Sequence, residues 1–169
     1  MIKLVRLDER LIHGQVAIKW SRQLGINRIV VVNTEASKDI VIQKSLLMAS
    51  PPNVKVAIKD IESSIKLLND SRIDSVDVLV IVSEINDLLR ITREVKGIQK
   101  INIGNYGRIA EKQSDLQRKS YARNLYLYDS EKAMLKEVVE TNVPVFYQTI
   151  PDDPSVKLSE LLKIGEKND

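Results

Sequence analysis

The fold is decided by residues 2–24, IKLVRLDERLIHGQVAIKWSRQL. The run Lys3 to Leu7 is rich in apolar residues and predicts a strand, whereas the apolar spacing over Gly14 to Leu24 predicts an amphipathic helix. A strand followed by a short loop and a helix is the building unit of α/β domains. We therefore expect a loop over residues 8–13, at the carboxyl end of the first strand.

The rest of the chain repeats this alternation, which is typical of an α/β fold with a mainly parallel central sheet of about seven strands, helices on both faces and room for one antiparallel edge strand. The predicted strands are Lys3 to Leu7, Arg28 to Val32, Val54 to Ile58, Asp77 to Val82, Lys100 to Ile103, Asn124 to Tyr128 and Pro144 to Thr149. The predicted helices are Gly14 to Leu24, Ser37 to Ala49, Ile61 to Asn69, Glu84 to Val95, Ser130 to Thr141 and Val156 to Ile164.

Length and composition favour one domain over residues 1–169, since 43% of the residues are hydrophobic and 29% are charged. Residues 109–123 are polar and weakly periodic, which predicts a long loop and the most mobile segment. Ser130 is predicted to cap the helix that follows this region. The tail from about residue 152 is expected to be peripheral.

Histidine occurs once, at His13, and cysteine is absent. His13 falls between the first strand and the first helix, where unpaired backbone N–H groups and the helix dipole favour anions such as phosphate. Gly14 lets the backbone approach a ligand closely, and Arg10 offers a planar, permanently charged donor group. Asp8 is placed to orient His13 or Arg10. Together these residues form a candidate phosphohistidine site.

Each of these residues also has a purely structural interpretation. A lone histidine at a helix start is often a capping or surface residue, and Arg10 could simply pair with Asp8 or Glu9 on the surface. Asp8 could be a turn residue. The run Gly104 to Gly107 is interpreted as a turn because it matches neither phosphate-loop pattern, and Trp20 as a packing residue.

Composition excludes several classes of function. One histidine without cysteine argues against a metal site, and nothing in the sequence calls for a cofactor. The net charge of +3 comes from 26 basic and 23 acidic residues that are interspersed, and only 4% of residues are aromatic, so nucleic-acid binding is not expected. No apolar run approaches the roughly 20 residues of a membrane span. We expect a cytoplasmic protein.

Residues 8–16, DERLIHGQV, resemble the active-site signature of the enzyme IIB components of the mannose/fructose/sorbose family of the bacterial sugar phosphotransferase system. Two further stretches are similar to that family: residues 27–33, NRIVVVN, followed by Lys38 and Asp39, and residues 51–56, PPNVKV. The resemblance extends over most of the chain.

The resemblance implies that His13 accepts a phosphoryl group from a histidine of a IIA domain, with Nδ1 as the expected nitrogen. It implies transfer onward to a sugar held by the membrane subunits IIC and IID, so that the protein would associate peripherally with the inner face of the cell membrane. Arg10 and the backbone at Gly14 become the expected phosphate cradle, and Asp8 a supporting residue. Self-association is expected, with no symmetry implied.

Two other classes of function remain open at this stage. The same helix terminus could serve a non-enzymatic module that binds a phosphosugar or a nucleotide, or the domain could be a scaffold. Residues that end the other predicted strands, namely Asn33, Ser83 and Gly104 to Tyr106, should share the edge of the sheet with His13. Leu11, Ile12 and Val16 are expected to supply an apolar rim around it.

Overall fold

A computed structural model describes residues 1–164 of the 169-residue chain. Its main feature is a sheet of seven strands, which are β1 (Ile2–Asp8), β2 (Arg28–Val32), β3 (Lys55–Lys59), β4 (Val78–Val82), β5 (Ile101–Asn105), β8 (Val145–Tyr147) and β9 (Val156–Lys157). Their order in the sheet is β3-β2-β4-β1-β5-β8-β9, and only the pairing of β9 with β8 is antiparallel. The predicted parallel sheet with an antiparallel edge strand is confirmed.

Helices cover both faces of this sheet, as predicted, because side chains alternate between the faces along each strand. The helices are α1 (Gly14–Leu24), α2 (Thr34–Lys38), α3 (Ile40–Met48), α4 (Ile61–Leu68), α5 (Ile85–Glu94), α6 (Asp129–Val139) and α7 (Leu158–Leu162). On one face Leu4 packs in a cluster with α1, α2 and α3, and on the other Val5 packs in a cluster with α4, α5, α6 and α7.

Strand β1 lies in the middle of the sheet, and this position determines the surroundings of the loop that follows it. It pairs in parallel with β4 on one side and with β5 on the other, so that Arg6 lies opposite Ile81 and Asn102. From β1 the chain passes to β2, toward one edge of the sheet. From β4 it later passes to β5, toward the opposite edge. The carboxyl end of β1 is therefore at a switch point, where α/β sheets bind ligands.

The structure differs from the prediction at three strands. The segment predicted as a sheet strand over Asn124 to Tyr128 forms β7 (Leu125–Leu127), which pairs with β6 (Lys119–Ala122) in a separate two-stranded sheet. Strand β6 lies inside the segment predicted to be a loop, and its side chains are exposed or half-buried, so it has no apolar pattern. The seventh strand of the main sheet is instead β9, two residues long, which was predicted as the start of a helix.

The helix boundaries differ where polar side chains bind backbone N–H groups. The predicted helix over Ser37 to Ala49 is two helices, because Asp39 is extended and its carboxylate accepts the N–H groups of Val41 and Ile42 at the start of α3. A 3-10 helix over Ser71–Ser75 was not predicted. Ser130 is not a helix cap, since α6 already begins at Asp129.

The segment after residue 152, which we expected to be peripheral, adds the edge strand and α7 to the domain. Leu158 and Leu162 of α7 are buried in the core. This part of the chain therefore contributes to the core up to the end of the described residues. The prediction of a helix up to Ile164 is met as far as Leu162.

Candidate functional site

The loop between β1 and α1 holds His13 at the start of the helix. His13 is the N-cap residue of α1, is exposed, and does not use its side chain to cap the helix. Leu11 and Gly14 adopt the left-handed conformation, with φ of 62° and 43°, so the backbone turns sharply on both sides of Ile12 and His13. Such a conformation is costly for leucine and is found where a loop is held in one shape by its surroundings.

Asp8 orients Arg10, not His13. The Asp8 carboxylate is fully buried and accepts hydrogen bonds from Arg10 Nε and Nη2, each at 3.2 Å, and from the backbone N–H of Arg10 at 3.0 Å. The Arg10 side chain keeps 29% of its surface exposed. Arg10 therefore pairs with Asp8 and not with Glu9, and its guanidinium is held at a fixed place while part of it remains open to a ligand.

A second arginine, Arg6, lies beneath this pair. Its buried guanidinium donates to Asp8 Oδ2 at 3.0 Å, to the carbonyl oxygens of Gln148 and Thr149 at 3.2 and 2.9 Å, and to Asn102 Oδ1. Burial lowers the pKa of Arg6 from its usual value, and the charge of Asp8 opposes that shift. One buried carboxylate thus binds two guanidinium groups, so the cluster of Arg6, Asp8 and Arg10 carries one net positive charge.

Glu9 does not cancel this charge by pairing with Arg10. Its carboxylate accepts hydrogen bonds from four consecutive backbone N–H groups, those of residues 107–110. The distances are 3.0, 3.0, 3.3 and 3.1 Å in chain order. The Glu9 N–H in turn donates to the Asn105 carbonyl at 3.0 Å. The loop before α1 is therefore fixed to the segment that follows β5.

Sequence reasoning missed the roles of Arg6 and Glu9. Arg6 had a recognisable signal, because it is a charged residue inside an apolar strand and lies two positions before Asp8, on the same side of the sheet. A buried strand that keeps two opposite charges on one face predicts that they pair. Glu9 had none, since its partners are backbone groups about a hundred residues away.

The predicted neighbours of His13 lie at the expected edge of the sheet. Asn33 donates to Ser83 Oγ at 2.8 Å, and both line a cleft of about 470 Å³ together with Tyr106. His13 does not line this cleft, whose other residues include the acidic side chains of Glu9, Glu35, Glu84, Glu111 and Glu131. A cleft with this charge is unsuited to a phosphoryl group.

The predicted apolar rim around His13 is wrong for one of its three residues. Ile12 is only 4% exposed and packs in the cluster that holds α1 against the sheet. Leu11 and Val16 are half-buried against the same cluster.

Within residues 1–164, no group of three or more histidine, cysteine, aspartate or glutamate side chains is arranged to hold a metal ion. In the same part of the chain, no helix has both the length and the apolar character that crossing a membrane requires.

Comparison with known proteins identifies the family. Residues 2–169 match the family model described as the sorbose subfamily IIB component of the phosphotransferase (PTS) system. A probable phosphotransferase enzyme IIB component of Streptococcus pyogenes serotype M6 is 37% identical over 163 residues, which cover 96% of this chain and 99% of the relative.

Two further comparisons agree with this match. The mannose-specific EIIAB component of Escherichia coli K12 is 28% identical over 168 residues, which cover 99% of this chain and 50% of that longer protein. The crystal structure of the IIBSor domain of the sorbose permease from Klebsiella pneumoniae has a TM-score of 0.85 at 25% identity and covers 98% of each chain. The similarity therefore includes the whole arrangement of strands and helices.

Proposed function

The chain belongs to the sorbose subfamily of IIB components of the phosphotransferase system, and on that basis we propose that His13 carries the phosphoryl group in sugar uptake. A nitrogen of the His13 ring forms a bond to phosphorus as the bond to the donor histidine of a IIA domain breaks. The P–N bond at His13 then breaks as the oxygen of a sugar hydroxyl bonds to phosphorus, and the hydroxyl proton takes the place of the phosphoryl group on the imidazole.

One observation carries this proposal: an exposed imidazole starts a helix in the same short loop as an arginine that buried Asp8 holds in place. A phosphoryl carrier must present its nucleophile to two successive partners, so the ring has to be exposed. Phosphoryl transfer depends mainly on positioning and on stabilising the charge of the phosphoryl oxygens. An arginine fixed before the reaction meets both requirements.

The electrostatics of the loop favour a phosphoryl group at His13. The cluster of Arg6, Asp8 and Arg10 carries one net positive charge, no acidic residue lies in the first turn of α1, and the Glu9 carboxylate lies against the backbone N–H groups of residues 107–110. The N-terminus of α1 adds the positive end of its dipole. Gly14 is exposed, and apart from its chain neighbours and the backbone of its own helix no atom lies within 4 Å of the place where a side chain would begin, so its backbone is open to a ligand.

The partners follow from the same proposal. The donor is a IIA domain, and the E. coli relative, whose name joins IIA and IIB, supports such a pairing. The acceptor is a sugar bound to the membrane subunits IIC and IID, which would bring this protein to the cytoplasmic side of the membrane. The sugar itself is selected there.

The test is to incubate the protein with phosphoenolpyruvate, the general phosphotransferase proteins and a cognate IIA, and to measure its intact mass before and after acid treatment. We expect one acid-labile phosphate on the wild type and none on His13→Ala. Arg22→Ala, which removes an exposed side chain near the far end of α1, is the matched control and should be labelled like the wild type.

Two results would contradict the proposal. If the wild type gains no phosphate from several competent IIA proteins, the carrier role is excluded and a phosphosugar- or nucleotide-binding module becomes the better hypothesis. If His13→Ala is labelled as strongly as the wild type, the phosphoryl group is on another residue.

A further inference from the structure

The guanidinium of Arg6 occupies a narrow slot inside the protein. On one side it lies over the ring of Trp20, 5.3 Å from the ring centroid, and on the other it lies against the backbone of Gly104. The edges of the slot are formed by Asn102, the Gln148 and Thr149 carbonyl groups and Asp8. The slot thus joins β1, β5, α1 and the segment after β8.

Gly104 fits this slot because it has no side chain. A Cβ atom at this position would overlap the Arg6 guanidinium carbon and both of its terminal nitrogens. The backbone conformation does not require glycine here, because the φ angle of Gly104 is not positive. The residue therefore serves the close approach of Arg6, and one of the overlapped atoms, Nη2, is the atom that donates to Asp8.

A continuous set of contacts runs from Gly104 to the loop. Gly104 sets the plane of Arg6, Arg6 Nη2 binds Asp8 Oδ2 at 3.0 Å, and Asp8 binds Arg10 through both carboxylate oxygens at 3.2 Å. Arg6 and Asp8 are 2% and 0% exposed. Because the two side chains are buried and joined by a hydrogen bond, a displacement of the Arg6 guanidinium shifts the Asp8 carboxylate that holds Arg10.

From these contacts we propose that Gly104 and Arg6 are positioning residues for phosphoryl transfer, and that they act by fixing Arg10 through Asp8. The inference rests on the proposed function, and it names residues that touch neither the phosphoryl group nor a partner. Trp20 and Gly104 together hold the guanidinium of Arg6 flat in its slot. A planar group is needed there, which an arginine provides and a lysine does not.

The experiment compares Gly104→Ala with the wild type by the initial rate of His13 phosphorylation from a cognate IIA, at several IIA concentrations. We expect kcat to fall by about 10- to 100-fold, the size of effect that a misplaced catalytic group produces. The KM for IIA should be unchanged because Gly104 is buried. Ile103→Val is the matched control, since it trims the adjacent buried residue of β5 without touching Arg6.

A double-mutant cycle separates positioning from general damage. In an Arg10→Ala background, Gly104→Ala should cause almost no additional loss, because the group that it displaces is already absent. If Gly104→Ala lowers kcat by the same factor in the Arg10→Ala background as in the wild type, the proposal is overturned. So would a Gly104→Ala protein as fast as the wild type, and in that case phosphorylation of the wild type shows that the carrier role itself still holds.

Arg6→Lys provides the same test if Gly104→Ala does not fold. It adds no atoms to the slot but removes the planar group, and we expect the same loss of kcat, again absent in the Arg10→Ala background. A wild-type rate for Arg6→Lys would overturn the proposal.

Discussion

Arg10 lies two residues after Asp8 and donates three hydrogen bonds to its carboxylate. Nε is 3.2 Å from Oδ1, Nη2 is 3.2 Å from Oδ2, and the backbone nitrogen of Arg10 is 3.0 Å from Oδ1. Arg72 and Asp70 repeat this arrangement on the surface, at 3.0, 2.8 and 2.9 Å. The two pairs differ in their surroundings, because Asp8 is fully buried and also binds Arg6, whereas the Arg72 side chain is 86% exposed.

The first prediction concerns Asp8→Asn. The substitution removes the negative charge between two arginines and leaves the buried Arg6 without its ion-pair partner. We expect the free energy of unfolding to fall by about 3 kcal/mol or more, together with a loss of His13 phosphorylation. Urea unfolding at neutral pH measures the first effect.

Asp70→Asn is the control for this prediction because it breaks the same local arrangement at an exposed place. Water already screens the Asp70 charge, so the loss of stability should be much smaller than for Asp8→Asn. Equal losses for the two variants would mean that the local turn, and not the buried Arg6, makes Asp8 important.

The second prediction concerns Glu9→Ala. Without the carboxylate, the backbone N–H groups of residues 107–110 lose their acceptor. We expect amide hydrogen exchange over these residues to become about tenfold faster or more, since hydrogen bonds to a charged acceptor are among the stronger ones. Exchange in β4 should not change. Glu111→Ala, an exposed carboxylate of the same segment, is the control.

The strand, loop and helix of residues 2–24 were predictable because the pattern that specifies them is local. The slot around Arg6 was not, since it depends on Gly104 and Asn102 coming beside β1 from about a hundred residues away. Strand β9 has two residues, too few to show a period. The predicted helix breaks at Asp39 because the Asp39 carboxylate caps α3. This capping competes with continuation of the preceding helix through Asp39.

The third prediction is a pH dependence at Asp87, in the first turn of α5. Burial, followed by the charge of nearby Glu84, raises the pKa of Asp87 from 3.8 to about 6. The folded protein then holds a proton that the unfolded chain has already released, so stability falls as the pH rises through this interval. Asp87→Asn should remove that part of the slope and stabilise the protein at pH 7 by less than about 1 kcal/mol, because Asp87 is partly exposed.

Chemical unfolding of the wild type and Asp87→Asn at a series of pH values measures this difference. Glu84→Gln should reduce the slope only in part, since it leaves the burial of Asp87 unchanged. Parallel stability curves for the wild type and Asp87→Asn would contradict the prediction.

The fourth prediction concerns Glu131, which joins α6 to the segment before β6. Its buried carboxylate accepts from Tyr106 Oη at 2.5 Å, from Arg118 Nε at 2.8 Å and from the Tyr128 N–H at 2.8 Å, and the Arg118 guanidinium stacks on the Tyr128 ring. Burial alone would raise the pKa of Glu131, but the hydrogen bonds from Arg118, Tyr106 and Tyr128 outweigh it and lower the pKa below the usual 4.5.

Because the folded pKa is the lower one, the stabilisation by the Glu131 carboxylate is complete above the usual value and is lost as the pH falls through the folded value. Glu131→Gln should therefore destabilise the protein by about 2 kcal/mol at pH 7 and by clearly less in acid, where the wild type also carries a neutral carboxyl group. Urea unfolding at both pH values measures this, with Glu137→Gln, an exposed acid of the same helix, as the control. A loss that is as large in acid as at pH 7 would show that the shape of the side chain, and not its charge, stabilises this cluster.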